Sequence, residues 1–589
     1  MNRNNEAHFA LTPTAEIGRS KFERPFTFSG TFNEGDILPI YVQQYIPGDT
    51  VKMRMSSIVR MMTPLVPVMD DCVLDVYFFN VPWRLTWSHY KEFMGENPTA
   101  PWVNPSQYEI PQIEAPTGGW DPKSLAVALG EPVGGTGLST NALKFRAYAS
   151  IYNNWFRSEA VQTPVYMHDD DTTRTGKNYD ANTYDPVTDT ELGAKLLKAC
   201  KTFDYFTGCL PQPQAGDPVS IPLSDHQLDL SMIDLSNSTR YDHVALQNAW
   251  TKDLNTSGSS VNSVTVTPHI GTISIPQTGY TQMTFSPARS NYSNAKTADE
   301  YSVTGETWTN NAIPQGTFKL FSDLTSVTGA TVTALRQAFA IQKWQERAGM
   351  VGQRIGEIIK GHFAVTNPDY RNMIPEYLGG YRSAISINQV VQTSSTDAVS
   401  PQGNTAAYSV TIDRKDDLWT KSFTEWGIIM GLAVVRIKNH TYQQGQNREW
   451  AKKKRFDFYW PEFANLSNMG VKVKEIYAKG PSVVDADGNI EDEKIFGYQE
   501  AWAEMRYEPD RMYGELRSDY AQSLDIWKYA DWYTSRPSLS DDWIKESEDP
   551  IGHTLAVQNH DQFFGSFYFG SIWTRPMPVY SIPGLIDHH

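Results

Sequence analysis

Apolar and polar positions alternate over short stretches of this chain, and turn residues separate the stretches. ILPIYVQQYIPGDTVKMRM, residues 37–55, reads as a strand, a Pro-Gly-Asp turn and a second strand. In CVLDVYFFNVPW, residues 72–83, Leu74, Val76 and Phe78 share one face, while Val73, Tyr77 and Phe79 share the other with Asp75. A strand apolar on both faces is one buried between layers, and Pro82 ends it. GIIMGLAVV, residues 427–435, reads as another buried strand. It is far short of the roughly 20 apolar residues that a membrane-spanning helix needs. Further strands are expected in SAISINQVVQTS (383–394), RFDFYW (455–460) and VKVKEIYAKG (471–480), and DADGN (485–489) is a turn.

Two segments have helical period instead. ALKFRAYASIYNNWFRSEA (142–160) sets Leu143, Ala147, Ile151 and Trp155 on one stripe, and VTALRQAFAIQKWQERAGM (332–350) groups Leu335, Ala338 and Phe339. Both are expected to pack onto a core. Between them, residues 224–330 are rich in Ser, Thr and Asn, with short alternating pieces such as Val264 and Val266, and Ile273 and Ile275. That stretch is too long for a plain loop and reads as an inserted β-rich subdomain. No period of repeat length is present. The pattern predicts a mainly β chain, a two-sheet antiparallel sandwich with long insertions and a few helices. Its parts are an N-terminal arm (1–30), a first part of the core with a helical insertion (31–223), the inserted subdomain (224–330), and a second part of the core with interface loops and a C-terminal arm (331–589).

Composition sharpens this. With 589 residues the chain exceeds what one core usually fills. Its 17 Trp, 30 Tyr and 26 Phe point to surface buried against partners as well as within the chain. A formal net charge of -16 argues against a nucleic-acid-binding protein as a whole, though a local basic patch remains compatible. Three cysteines, Cys72, Cys200 and Cys209, make no disulfide framework and read as reduced thiols. The first 20 residues carry no apolar stretch of signal-peptide length.

Catalytic motifs are missing. There is no His-Glu-x-x-His, no phosphate-binding loop with its Lys, and no Gly-x-Ser-x-Gly elbow. HDDD (His168 to Asp171) has carboxylates that suit a hard cation, but such runs are usually solvated loops, and the terminal Asp587, His588 and His589 are weaker still as ligands. Asp457 and Glu462 lie among aromatics, as acids do in glycosidase clefts. The simpler reading is a half-buried strand with Asp457 paired to an Arg. Arg448, Lys452, Lys453, Lys454 and Arg455 form the one dense basic run. Its cations can meet phosphates and the flanking rings can stack on unpaired bases; a solvated turn is the alternative, and the residues leave both open.

Taken in order, several segments resemble the major capsid protein family of gokushoviruses, small tailless phages of the Microviridae with single-stranded DNA. They are FNEGDILPIYVQQYIPGDT (32–50), VYFFNVPWRLTWSHYKEFMGEN (76–97), FRAYASIYNNWFR (145–157), LRQAFAIQKWQER (335–347), IPEYLGG (374–380), SPQGN (400–404), TYQQGQNREW (441–450), FDFYWPEFANL (456–466), FGYQEAWAEMRYEPDRMYGELRS (496–518) and RPMPVYSIPGLIDHH (575–589). Residues 224–330 match no fixed motif, as a variable insertion would, and Trp426 stands where a His is expected.

The resemblance implies an eight-stranded viral jelly roll, a T=1 icosahedral shell, and an inserted subdomain that projects near the threefold axes and aids host attachment. It implies a virion protein assembled in the bacterial host cytoplasm, with no cofactor and no membrane insertion. Its partners would be other copies of itself, the packaged DNA, a small basic DNA-binding virion protein, a minor or pilot protein, and a bacterial surface receptor. On that reading the run at Arg448 and Lys452–Arg455 contacts DNA. Tyr498, Trp502, Arg506, Tyr507, Arg511, Tyr513 and Arg517 lie at subunit seams, with Arg506, Arg511 and Arg517 paired to Glu500, Glu504, Glu508 or to neighbours. A carbohydrate-binding β-sandwich and a glycoside hydrolase are the rival readings.

Overall fold

The computed structural model describes residues 17–97, 107–219, 332–385 and 411–580, with a few short strand backbones between them. Two compact units emerge, one of Met1–Asp217 with Trp344–His589 and one of Pro218–Lys343. Residues 224–330, expected as an inserted subdomain, lie almost wholly outside the described residues.

The first unit is mainly β. Eight long strands run in chain order: β1 (Ser20–Phe32), β2 (Leu38–Tyr45), β3 (Thr50–Met61), β4 (Cys72–Pro82), β5 (Glu376–Ile385), β6 (Thr411–Ser422), β7 (Gly427–Ile437) and β8 (Phe563–Arg575). They form two four-stranded antiparallel sheets, ordered β1-β8-β3-β6 and β5-β4-β7-β2. Chain ends meet across the first sheet, where Phe32 lies opposite Phe563 and Ser20 opposite Arg575.

The period of two explains the layering. Leu74, Val76 and Phe78 of β4, with Ile429, Ala433 and Val435 of β7, face the core shared with Val51, Met53, Phe567, Phe569 and Trp573 of the other sheet. The alternate residues Phe79, Val81, Ile428, Met430, Leu432 and Val434 face a second core built on the helix α1 (Leu143–Ile151), through Leu143, Phe145, Ala147, Tyr148 and Ile151. These strands are therefore apolar throughout because both of their faces are covered. The first sheet has one covered face, and β8 alternates buried and exposed positions accordingly.

Asp75 is the exception inside β4. It is 2% exposed and accepts from Arg382 Nε at 2.5 Å and Nη2 at 2.9 Å, and from Arg436 Nε at 3.1 Å. Those arginines sit on β5 and β7, the two neighbours of β4. Burial works to raise the Asp75 carboxyl, but the two guanidiniums outweigh it and hold it below its usual value.

Three expectations are corrected. α2 (Val332–Val351) forms, but none of its residues is buried, and Phe339 is 63% exposed. Among the described residues its apolar positions join none of the buried cores. RFDFYW is not a strand: it holds a 3₁₀ turn at Arg455–Asp457 and is exposed throughout. The strand in VKVKEIYAKG is confined to Met469–Lys472 and gives way to a 3₁₀ turn at Val473–Glu475.

Candidate functional site

Tyr205 and Phe206, which precede β5, join Tyr442, Val471, Ile476, Phe496 and Trp543, which lie between β7 and β8, in a third core outside the double sheet. Above it lies a cleft of about 280 Å³. One wall is the 3₁₀ turn Arg448–Ala451, whose first turn is capped by Asn447 Oδ1 accepting from Glu449 N at 2.8 Å. The other is the segment around Tyr507–Arg517. Of the two sets of residues singled out in the sequence, Arg448 from the first and Tyr507, Arg511 and Arg517 from the second line this cleft.

The basic run divides. Arg448 turns inward, donating to Gly470 O at 3.0 Å and pairing with Glu475 at 3.4 Å. Tyr205 OH donates to the other Glu475 oxygen at 2.9 Å. Burial raises the Glu475 carboxyl against the pull of Arg448. Burial disfavours the Arg448 charge, but Glu475, Tyr205 and Glu504 outweigh it and hold its pKa up. Lys452 is also turned in, 3.6 Å from Glu504. Lys453, Lys454 and Arg455 face out, beside exposed Phe456, Phe458, Tyr459 and Trp460. Asp457 does not pair with an Arg as expected. It accepts from the backbone N–H groups of Lys453 at 2.9 Å and Lys454 at 2.7 Å, and this fixes the turn that presents the cations.

Residues 498–517 are equally mixed. Tyr498 is half-buried and exchanges two 2.7 Å backbone hydrogen bonds with Leu210. Trp502 is 6% exposed, adopts a left-handed φ of 64° and donates its indole N–H to Phe463 O at 2.9 Å. Tyr507 stacks on Tyr205 with centroids 5.3 Å apart. Tyr513 is 92% exposed. Arg506 pairs with Glu500, and Arg511 with Glu508 at 2.8 Å. Two expected partners are corrected: Arg517 pairs with Asp519 at 2.9 Å and donates to Gln443 O at 3.0 Å, while Glu504 turns to Lys452 and Arg448. Asp519 is two positions along the chain and Arg517 is half-buried against the loop of Gln443, so the near carboxylate wins.

One buried cluster carries no sequence signal. His440 is 4% exposed, with Nδ1 3.0 Å from Asp531 and Nε2 3.2 Å from Glu546, and Lys201 reaches Asp531 at 3.4 Å. Burial favours a neutral ring, but the carboxylates of Glu546 and Asp531 prevail and push its pKa up to about 10. Burial works to raise Asp531, but Lys201 and His440 pull it down to about 2. Nearby Glu34, fully buried, is raised well above the usual range by burial and then by Glu546.

The HDDD segment is held by side chains of the chain itself. Asp170 pairs with Arg174 at 2.7 Å and with buried Arg146 at 3.3 Å, while Asp171 accepts from Trp87 Nε1 at 2.6 Å and meets His89 at 2.8 Å. Among the described residues no group of His, Cys, Asp or Glu has the arrangement to hold a metal ion. The three cysteines are free thiols. Asp587, His588 and His589 lie outside the described residues.

Comparison with known proteins gives one consistent result. Residues 10–585 match the phage capsid protein (F protein) family. The chain is 36% identical to the capsid protein VP1 of Spiroplasma virus 4 over 583 residues, covering 98% of this chain and 97% of that one. It is 35% identical to the capsid protein VP1 of Chlamydia phage 1 over 599 residues, 98% and 97% of the two chains. It is 36% identical to the capsid protein VP1 of Bdellovibrio phage phiMH2K over 586 residues, 99% and 98%.

Proposed function

We propose, from the premise that this chain belongs to the phage capsid protein (F protein) family, that identical copies of it build a T=1 icosahedral shell around a single-stranded DNA genome. It is a structural protein of the phage virion and not an enzyme: the family and all three relatives are capsid proteins. No helix among the described residues is long and apolar enough to cross a membrane.

Strand order carries the finer fold assignment. Numbered along the chain, the sheets run 1-8-3-6 and 5-4-7-2. Eight antiparallel strands shared in this way between two facing sheets support an eight-stranded viral jelly roll. The loops beyond β7 would then meet neighbouring copies around the symmetry axes. Tyr498, Trp502, Arg506, Tyr507, Arg511, Tyr513 and Arg517 are assigned to these seams, with Tyr513, Arg506 and Arg511 the most exposed of them. The inserted residues 224–330 project outward and contribute to attachment at a bacterial surface receptor.

Lys453, Lys454 and Arg455, with Arg448 and Lys452 behind them, are the DNA contact. An acidic chain does not neutralise a packaged genome with so few cations, so a small basic virion protein is a further partner, together with a minor or pilot protein. Electron microscopy with sedimentation of the purified chain tests the shell. Closed particles of one small size, with knobs that disappear when residues 224–330 are deleted, are expected. A chain that stays monomeric even when the other phage proteins are co-expressed overturns the assignment.

A further inference from the structure

The cleft above the third core has a composition that the exposed cations do not explain. Its floor is aromatic, with Tyr205, Phe206 and Tyr442 all buried. At its sides Tyr507 lies parallel to Tyr205, and Trp450 is 78% exposed. Rings placed so present faces on which a flat ligand can stack.

The charges lining the cleft cancel. Arg448, Arg511 and Arg517 are set against Glu475, Glu504 and Asp510. A phosphate would meet as many carboxylates as guanidiniums, so the cleft does not suit an anion. It suits a neutral flat ring with both hydrogen-bond donors and acceptors. Glu504 strengthens this. It is 6% exposed, and its Oε1 has no hydrogen-bond partner, only ion-pair contacts with Lys452 at 3.6 Å and Arg448 at 3.8 Å. A buried acceptor left in that state gains from a donor such as an exocyclic amino group. The volume, about 280 Å³, falls at the low end of the range of small-molecule sites, roughly 300–1,000 Å³. The nearest exposed cation in the chain is close: Lys453 is three residues from Trp450, at most about 11 Å of backbone.

We propose that this cleft receives one unpaired nucleobase of a single DNA strand, stacked against Trp450 and Tyr507, while the adjoining phosphates lie on Lys453, Lys454 and Arg455. The inference rests on the DNA contact proposed above and adds a base-dependent component to it. Cations alone bind any phosphodiester chain; a base-accepting cleft distinguishes a strand with bases from one without.

The test uses the full-length chain before assembly, with fluorescence anisotropy of two labelled probes at several salt concentrations. One is a short mixed-sequence deoxyoligonucleotide, the other an abasic chain of the same length. The wild-type protein is expected to bind the base-bearing strand more tightly by roughly five-fold to a hundred-fold, the range of one stacked base. Trp450→Ala, at an exposed position, should abolish that preference and leave the abasic affinity in place. Lys453→Ala, Lys454→Ala and Arg455→Ala together should weaken both probes alike and flatten the salt dependence. Equal wild-type binding of the two probes overturns the cleft and spares the DNA contact. A preference that survives the Trp450 change also overturns the cleft. Failure of the wild-type chain to bind either probe overturns the DNA contact itself, and the cleft with it.

Discussion

CVLDVYFFNVPW and RFDFYW look alike on paper: each is a ring-rich string with a single Asp. They have opposite fates. In β4, Phe78 and Phe79 are 0% and 1% exposed, and Asp75 is enclosed between two arginines. In the later string, Phe456 is 65% exposed and Phe458 52%, and Asp457 holds a turn through backbone N–H groups. The difference lies in the neighbours. β4 has a strand on each side to complete its hydrogen bonds, and each of those strands brings an arginine to the one charge. RFDFYW has no strand to pair with, so its Asp caps its own backbone and the rings face outward. An aromatic string is thus a core strand or a contact surface depending on what lies beside it, and large exposed rings mark surfaces that bind something.

The sharpest way to break the comparison is to remove one ring from each string. Phe78→Ala should cost about 3–5 kcal/mol, because a fully buried Phe leaves a cavity between two packed sheets. Phe456→Ala should change the stability of the isolated chain by no more than about 0.5 kcal/mol. Denaturant unfolding of the two variants measures both. Similar losses would mean that RFDFYW is packed within the chain, and its role as a contact surface would fall.

The next effect concerns charge. One partner of buried Asp75, Arg382, has a side chain 55% exposed, whereas His440 is enclosed between Asp531 and Glu546, both buried. Its folded pKa near 10 stands above the unfolded value of about 6.5. Below pH 6.5 the ring is protonated in both states and its stabilisation is complete. As the pH rises the unfolded chain loses this proton first, and the stabilisation disappears as the pH passes through about 10. Stability should therefore decline on the order of 3 kcal/mol between neutral and pH 10. His440→Gln should be less stable than wild type at neutral pH and should flatten that decline. An unchanged alkaline slope in the variant would assign it to other groups.

The contrast between the two strings also marks what the sequence made legible. Strands β2, β3, β4 and β7 are visible because a period of two or a run of apolar residues reports one or two covered faces, as in residues 37–55 and 427–435, whereas β1 lies largely in residues read as an N-terminal arm and β6 and β8 are not among the expected strands. The helical period of α2 was just as visible in one dimension, yet none of its residues is buried, because periodicity reports an apolar face and not what covers it. The cleft was half legible. Its basic run and its Tyr- and Arg-rich segment stood out by composition, but their approach to each other depends on Tyr205 and Glu475, which carry no motif. Arg448 and Lys452 turn inward while Lys453–Arg455 turn outward because buried Glu475 and Glu504 attract the first two and the Asp457 turn presents the rest. His440 was invisible, since its partners lie 91 and 106 positions further along the chain.

The smallest effect distinguishes a pair that holds the chain together from one that is available to a neighbour. Arg506 is 68% exposed and its partner Glu500 44%. Such a pair gives about 0.2–1 kcal/mol, screened by salt. Arg506→Ala should cost the isolated chain no more than that, and the cost should vanish near 1 M salt, where the Debye length falls to about 3 Å. Assembly responds differently if this segment lies in a seam. A charge desolvated between two copies is worth more than the same charge in water, so shell yield from Arg506→Ala, followed by sedimentation, should fall although the chain itself is as stable as wild type. Equal yields from variant and wild type would return Arg506 to an ordinary surface and confine the seam assignment to the other residues of that segment.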